Sequence, residues 1–343
     1  MPVTSRAFSV VGWDIGGVNT KAARVPELQT TSEPFEIQRD PAALVGTLAT
    51  LARRLGRADG WAHAVTMTAE LSQAFRTKRE GVAAVLDAVA AAFPSDTIWV
   101  YTVDGRFVTP ADARARPLEV GASNWVATAT LVARLVPDAI LVDIGTTSTD
   151  IIPLAGGKVA ARGRTDPARL LSGELVYTGA VRTPVEAVVR EVPLWDGHAA
   201  VSAEGFATVG DAHVWLGALL PGDYTAPTSD CRPVTREAAG ERLARVVCGD
   251  REMLDEATID RIACAVVEAQ LAQVTRGLQR VREAFPAART AVVTGLGDFI
   301  AAAAARRAGL EVVSLAERWG DAARVAPAAA VGWLLAEELG AGR

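Results

Sequence analysis

The sequence predicts an α/β protein of two related lobes that face each other across a central cleft. Three observations carry that prediction: a strand–Asp–turn–strand unit that occurs twice, an alternation of apolar strands with helical segments in each half, and a glycine-rich turn after a late strand. The first unit is Ser9–Trp13 running into DIGGVNTK at 14–21, and the second is Ala139–Val142 running into DIGTTSTD at 143–150. One turn sequence repeated in a chain of 343 residues points to two copies of a single plan. The length agrees, since an ordinary domain takes about 100–200 residues.

In the first half, helix is expected near Ala42–Leu55, strand at Ala64–Thr68, helix at Arg79–Phe93 and strand at Thr97–Thr102. Asp104–Gly121, with Pro110 and Pro117, reads as the crossing to the second half, and Ser123 is the expected N-cap of a helix starting at Asn124. Gly163–Asp230, rich in Gly, Pro, Thr and Trp, reads as an irregular stretch carrying function or an inserted subdomain. Apolar spacing predicts a long helix over Ile259–Phe285, then a strand at Ala291–Thr294 and the turn Gly295–Phe299. An Ala-rich helix, a strand at Glu311–Leu315 and a closing helix from Pro327 complete the chain. The lobes are thus expected at 1–121 and 122–343, with an inserted substrate subdomain over about 160–255 and the 326–340 helix packing back on the first lobe.

Composition removes several classes of function. Half the residues are hydrophobic and 22% are charged, which excludes intrinsic disorder. With 35 basic and 40 acidic residues and no basic block, a nucleic-acid partner is not expected. No apolar run approaches the 18 or so residues that span a bilayer, so no membrane partner is expected either. The N-terminus runs straight into a strand pattern and does not read as a signal peptide. Cys231, Cys248 and Cys264 suit neither a disulfide framework nor a zinc site and are expected as reduced thiols of a cytoplasmic protein.

The two turns supply the chemistry. Gly16, Gly17 and Gly145 are expected to let backbone N–H groups approach a ligand, with positive φ available at 16 and 17. Asn19, Thr20, Thr146, Thr147 and Ser148 add polar side chains, and Lys21 adds a cation. Asp14 and Asp143 end their strands where a hydrated Mg²⁺ could sit between carboxylates and phosphate oxygens. A single turn of this kind is equally a plain hairpin capped by its Asp. Two of them, with Gly295 and Gly297 in a third turn, point to phosphate binding. Arg182 offers a bidentate fork for an anion, or is a solvated surface residue. Glu70, just past a strand end, is the first choice of general base, against the alternative of a helix-start acid. Asp211 and His213 share Gly210–His213, where a structural role competes with an active-site one; His63 and His198 read as ordinary. Trp125, Trp195 and Trp215 could line an aromatic pocket or fill the core.

DIGGVNTK, DIGTTSTD and VVTGLGDF (292–299) resemble, in order, the two phosphate motifs and the adenosine motif of the actin/hexokinase/Hsp70 superfold. That likeness implies two ribonuclease H-like lobes with connecting helices at Asn124–Val136 and Pro327–Leu339. A narrower likeness rests on VTMTAEL (65–71), SNW (123–125), YTGAVRTPV (177–185) and DAHVWLGAL (211–219). These segments resemble hydantoinase/oxoprolinase-like proteins of tetrahydromethanopterin-linked one-carbon pathways. The chain departs from that pattern at Ser72–Gln73–Ala74, where an Asp/Cys pair is usual, and at Cys231, where Gly is usual; both departures count against a cysteine role.

This second resemblance implies methanofuran-type cofactor synthesis. There an aminomethylfuran diphosphate and tyramine, or a (poly)glutamyl-tyramine, are the small-molecule substrates, and an aryl ether forms as diphosphate leaves. It also implies Asn124, Trp125, Thr178 and His213 as substrate-pocket residues, Mg²⁺ as cofactor, and a homo-oligomer as one assembly option; ATP binding stays open. Two other readings remain beside it: an ATP-dependent metabolite kinase or oxoprolinase-like ATPase, and a non-catalytic nucleotide sensor.

Overall fold

In the computed structural model, which describes residues 9–58 and 60–340, two mixed sheets carry the fold. The first is built from β1 (Val10–Ile15), β2 (Asn19–Val25), β3 (Gln29–Pro34), β4 (Ala62–Met67), β5 (Thr97–Tyr101) and β6 (Phe107–Val108), in the order β3-β2-β1-β4-β5-β6. The second contains β7 (Ala139–Ile144), β8 (Thr149–Ala155), β9 (Lys158–Val159) and β10 (Leu175–Val176). A separate hairpin, β11 (Glu191–Leu194) with β12 (Gly197–Ala200), lies between them in sequence and the later β13 (Thr290–Thr294) and β14 (Glu311–Ser314). The second sheet runs β10-β8-β7-β13-β14, with β9 on β8.

The repeated turn of the sequence is repeated in space. β1 and β2 are antiparallel, as are β7 and β8, while β1 pairs β4 and β7 pairs β13 in parallel. β1 and β7 are buried at all six positions, as strands covered on both faces must be. Helices Leu44–Arg54 and Lys78–Ala92 cover one face of the first sheet, around Trp13, Ile15, Val65, Val85 and Leu86. Helix Glu256–Ala284 presents Val274, Leu278 and Val281 to the second sheet and Ile259, Ile262 and Val266 to the inserted segment.

The closing helix runs from Ala326 to Glu338 and lies directly on β1. A Cβ at Gly12 would fall 1.9 Å from the Ala328 carbonyl oxygen, so strand and helix backbones touch there. This helix and Asn124–Leu135 share one buried cluster with both sheets, including Val10 and Ala64 from the first and Ile152 and Val292 from the second.

Several local expectations are corrected. Ser123 makes no side-chain cap hydrogen bond to its helix, and its hydroxyl is buried without a partner. Asp104–Gly121 contains strand β6 and the helix Pro110–Ala115, started by Thr109 and Pro110. About half of Gly163–Asp230 is helix or strand, with helices Asp166–Ser172 and Val209–Trp215 capped by Thr165 and Thr208. The Thr and Pro content that suggested irregular chain there is helix-capping chemistry. Cys231, Cys248 and Cys264 are free and exposed, and among the described residues no helix is long and apolar enough to cross a membrane.

Candidate active site

Both D-I-G turns open into one cavity of about 440 Å³ between the lobes. Each is closed by the same bond: Gly16 N–H donates to Asn19 O at 3.0 Å, and Gly145 N–H to Ser148 O at 3.0 Å. Neither Gly16 nor Gly17 takes positive φ. Gly16 is required instead by crowding, since a Cβ there would meet Asn19 O at 2.7 Å. Asn19 ties the halves together: its Nδ2 donates to Thr146 Oγ1 at 3.2 Å, and its Oδ1 accepts from Thr225 Oγ1 at 3.0 Å.

The cavity wall includes Asp14, Gly16, Gly17, Asn19, Lys21, Glu70, Asn124, Asp143, Gly145, Thr146, Thr147, Ser148 and Arg182 from the sequence-predicted set. Thr20 is buried outside it. The matching registers reveal a difference between the two units. Asp14 stands opposite Lys21 on β2, whereas Asp143 stands opposite Asp150 on β8. Lys21 Nζ lies 3.9 Å from Asp14 Oδ2. Burial pushes Asp14 above the usual carboxylate range, with Lys21 opposing the shift. Burial, reinforced by Asp150, pushes Asp143 up to about 7. Arg169, buried against Trp125 with its guanidinium 4.4 Å from the ring, ion-pairs with Asp150 and limits that charge.

These carboxylates suit a hydrated divalent cation. Asp14 Oδ1 is buried without a hydrogen-bond partner, and Asp143 is destabilised as an anion by a like charge across the ladder. Among the described residues no group of three or more His, Cys, Asp or Glu is arranged to hold a metal alone. Mg²⁺ characteristically takes one or two protein carboxylates and fills its remaining positions with water and substrate phosphate.

Glu70 lines the same cavity from the 3-10 turn Ala69–Leu71, just after β4. It is 1% exposed, and neither carboxylate oxygen has a hydrogen-bond partner. Lys78 Nζ stands 3.3 Å from Oε1. Burial pushes Glu70 up to about 7 against the pull of Lys78. An acid held near neutrality, facing a cavity, is a natural proton acceptor.

The remaining predicted residues lie elsewhere. Asp211 is buried in an ion pair with Arg242, 2.8 Å from Nε, and completes the Thr208 capping box; it lies outside the cavity and its chemistry is structural. His213 and Thr178 sit behind the second turn. Gln270 Nε2 donates to Thr178 Oγ1 at 3.0 Å and Gly179 O at 2.7 Å, so its Oε1 accepts from His213 Nε2 at 2.8 Å. This bond places a proton on Nε2, and burial lowers the His213 pKa. This network braces the 177–182 loop, whose Ala180 and Arg182 N–H groups donate to Gly145 O and Thr146 O at 2.9 and 3.0 Å.

Gly295 and Gly297 also stand outside the cavity wall. Gly295 has φ +91, and Cβ atoms at 295 and 297 would strike Asp143 Oδ1 at 2.4 Å and Ile144 Cγ2 at 2.5 Å. The third turn thus presses on the end of β7. No Trp lines the cavity: Trp125 and Trp215 are buried under arginines, and Trp195 sits exposed on the β11–β12 hairpin turn. The aromatic and apolar lip is made instead by Tyr177 and Leu71, 58% and 52% exposed. Sequence reasoning also missed Asp150, Asp166 and Arg169. Asp150 was visible as the counterpart of Lys21 in the repeated turn.

The chain belongs to the hydantoinase/oxoprolinase family, whose profile matches residues 62–338. It is 33% identical over 336 residues to the (4-{4-[2-(γ-L-glutamylamino)ethyl]phenoxymethyl}furan-2-yl)methanamine synthase of Methanocaldococcus jannaschii, covering 96% of this chain and 98% of that protein. A protein of the same name from Methanococcus vannielii is 32% identical over 209 residues, 60% of this chain and 93% of its own length. Among solved structures, nucleotide-free acetone carboxylase superposes with a TM-score of 0.63 at 12% identity, over 94% of this chain and 70% of its own. That likeness concerns the fold.

Proposed function

We propose that this chain is a transferase of methanofuran-type cofactor synthesis, joining an aminomethylfuran diphosphate to the phenol of tyramine or a glutamyl-tyramine. The observation that carries the reading is one cavity holding both acidic phosphate-type turns and the buried, unpartnered Glu70. The names of the relatives support it, since each specifies a product in which a phenol oxygen is bonded to a furan methylene.

In this reading the turn backbones at Gly16–Asn19 and Gly145–Ser148, with Lys21 and Arg182, bind and orient the diphosphate. Asp14 and Asp143 would hold Mg²⁺, which when bound supplies positive charge that makes diphosphate a better leaving group. The methylene carbon–oxygen bond breaks and its electron pair departs with diphosphate. The phenol oxygen forms the new bond at that carbon, and its proton passes to Glu70. Tyr177 and Leu71 cover the rings at the cavity mouth.

The test supplies either furan diphosphate or ATP, with tyramine or glutamyl-tyramine, to the purified protein; in the furan diphosphate the oxygen bridging carbon to phosphorus is labelled with ¹⁸O. Ether product, with the label released in diphosphate, is the expected result. Acceptor-dependent conversion of ATP to ADP without ether would establish a kinase, and nucleotide binding without turnover a sensor; either overturns the transferase.

A further inference from the structure

An ion chain runs around the cavity wall from Glu70 to the second phosphate-type turn. Lys78 opens the helix Lys78–Ala92 beside the first sheet, and Asp166 opens the helix Asp166–Ser172 beside the second. The Lys78 ammonium lies 3.3 Å from Glu70 Oε1 and 2.9 Å from Asp166 Oδ2, 88 positions further along the chain, so one cation joins the two carboxylates across the cleft. Asp166 Oδ1 in turn faces Arg169 Nη1 at 3.6 Å, and Arg169 holds Asp150.

The surroundings of Glu70 are shaped to this carboxylate. A Cβ at Gly121 would stand 3.0 Å from Oε1, and one at Gly81 would stand 2.5 Å from the Glu70 carbonyl oxygen. Gly121 thus leaves the room that the side chain occupies, and Gly81 lets its helix close on the Glu70 backbone. With no hydrogen bond to either oxygen, the ammonium of Lys78 is the group that fixes the charge and direction of the carboxylate.

We propose that Lys78 is a positioning residue of the transfer reaction, anchored by Asp166 across the cleft so that its ammonium keeps Glu70 ionised and aimed at the acceptor phenol. The proposal rests on the reading of Glu70 as proton acceptor. The charged groups around Glu70 are few. Lys78 faces it from the helix, Asp166 reaches Lys78 from the second lobe, and Glu119 on the adjoining turn Pro117–Glu119 is paired with Arg116 at 3.3 Å. Burial and Asp166 favour the protonated carboxyl, and Lys78 opposes both. Without the ammonium the largest opposition to burial is gone, and Glu70 stays protonated to higher pH.

The experiment is the pH dependence of kcat/KM for ether formation in wild type, K78M, K78R, D166N and E70Q. In K78M the acid limb is expected to move up by at least ~1 pH unit, lowering activity at pH 6.5 about tenfold with recovery toward pH 9. K78R, which keeps the charge, is expected to restore the limb. D166N keeps the ammonium and loses its anchor, so kcat falls about tenfold while the limb moves down rather than up. This variant keeps the proposal testable should K78M fail to fold. A uniform loss in K78M with an unmoved limb, or unchanged kcat in D166N, overturns the role of Lys78 and leaves Glu70 in place. Full activity in E70Q overturns the Glu70 reading, and the Lys78 proposal with it.

Discussion

Asp14 and Asp143 end equivalent strands, yet one faces a lysine across its ladder and the other an aspartate. The second turn therefore concentrates negative charge, which Lys21 and the Arg169–Asp150 pair offset only in part. Asp143→Asn removes that charge at nearly constant volume. It is expected to lower kcat about 100-fold or more, the scale of a lost electrostatic stabiliser; steady-state ether formation at saturating Mg²⁺ checks this, and near-wild-type turnover would remove Asp143 from the site. Glu70 permits a separate prediction about stability. Its pKa rises from 4.5 unfolded to about 7 folded, so the folded state favours the protonated carboxyl. That contribution is complete below pH 4.5 and is lost as pH rises through 7, on the order of 3 kcal/mol. Glu70→Gln should then match wild type in melting temperature near pH 4.5 and exceed it at pH 8. A wild type more stable than the Gln variant at pH 8 would mean that Lys78 offsets the burial of Glu70 in full.

The elements that carry the site show what a sequence discloses and what it hides. The two D-I-G hairpins were legible because a buried strand, an Asp and a tight turn are all local signals. The roles of Asp211 and His213 were not legible, because they depend on Arg242 and Gln270, 31 and 57 positions away. Trp125 was misplaced for a related reason: its neighbour Asn124 lines the cavity, while the step of about 100° to the next helix position sends the indole under Arg169. Gln270, on helix Glu256–Ala284, is the hidden part with the clearest consequence. It braces the loop whose N–H groups hold the Gly145–Thr146 carbonyls. Gln270→Leu strands the Gly179 carbonyl and His213 Nε2 in a dry interior. A loss of about 2–4 kcal/mol in unfolding free energy is expected, with a raised KM for the phosphate substrate. Urea denaturation and initial rates measure both, and an unchanged KM would separate this brace from the Gly145–Ser148 turn.

At the scale of the whole molecule, the two lobes are joined by apolar packing as well as by the cavity. The closing helix Ala326–Glu338 carries Pro327 at the cavity wall and rests on β1, and its core cluster draws residues from both sheets. Of the described glycines, Gly12 is the one whose added Cβ would come nearest another atom, with backbone on both sides and no flexible side chain to yield. Gly12→Ala places a methyl group 1.9 Å from Ala328 O and 2.6 Å from Gly332 N. The helix must lift from the strand, which costs about 3 kcal/mol or more and displaces Pro327. Gly46→Ala is the matched comparison, because its helix Leu44–Arg54 leaves open space at that position. There the same added methyl is expected to stabilise by about 0.5–1 kcal/mol through helix propensity alone. Chemical denaturation of the two variants should move the midpoint in opposite directions, with activity falling only in Gly12→Ala. A Gly12→Ala protein with wild-type midpoint and turnover would show that the closing helix does not bear on β1, and would separate the cavity from the joint between the lobes.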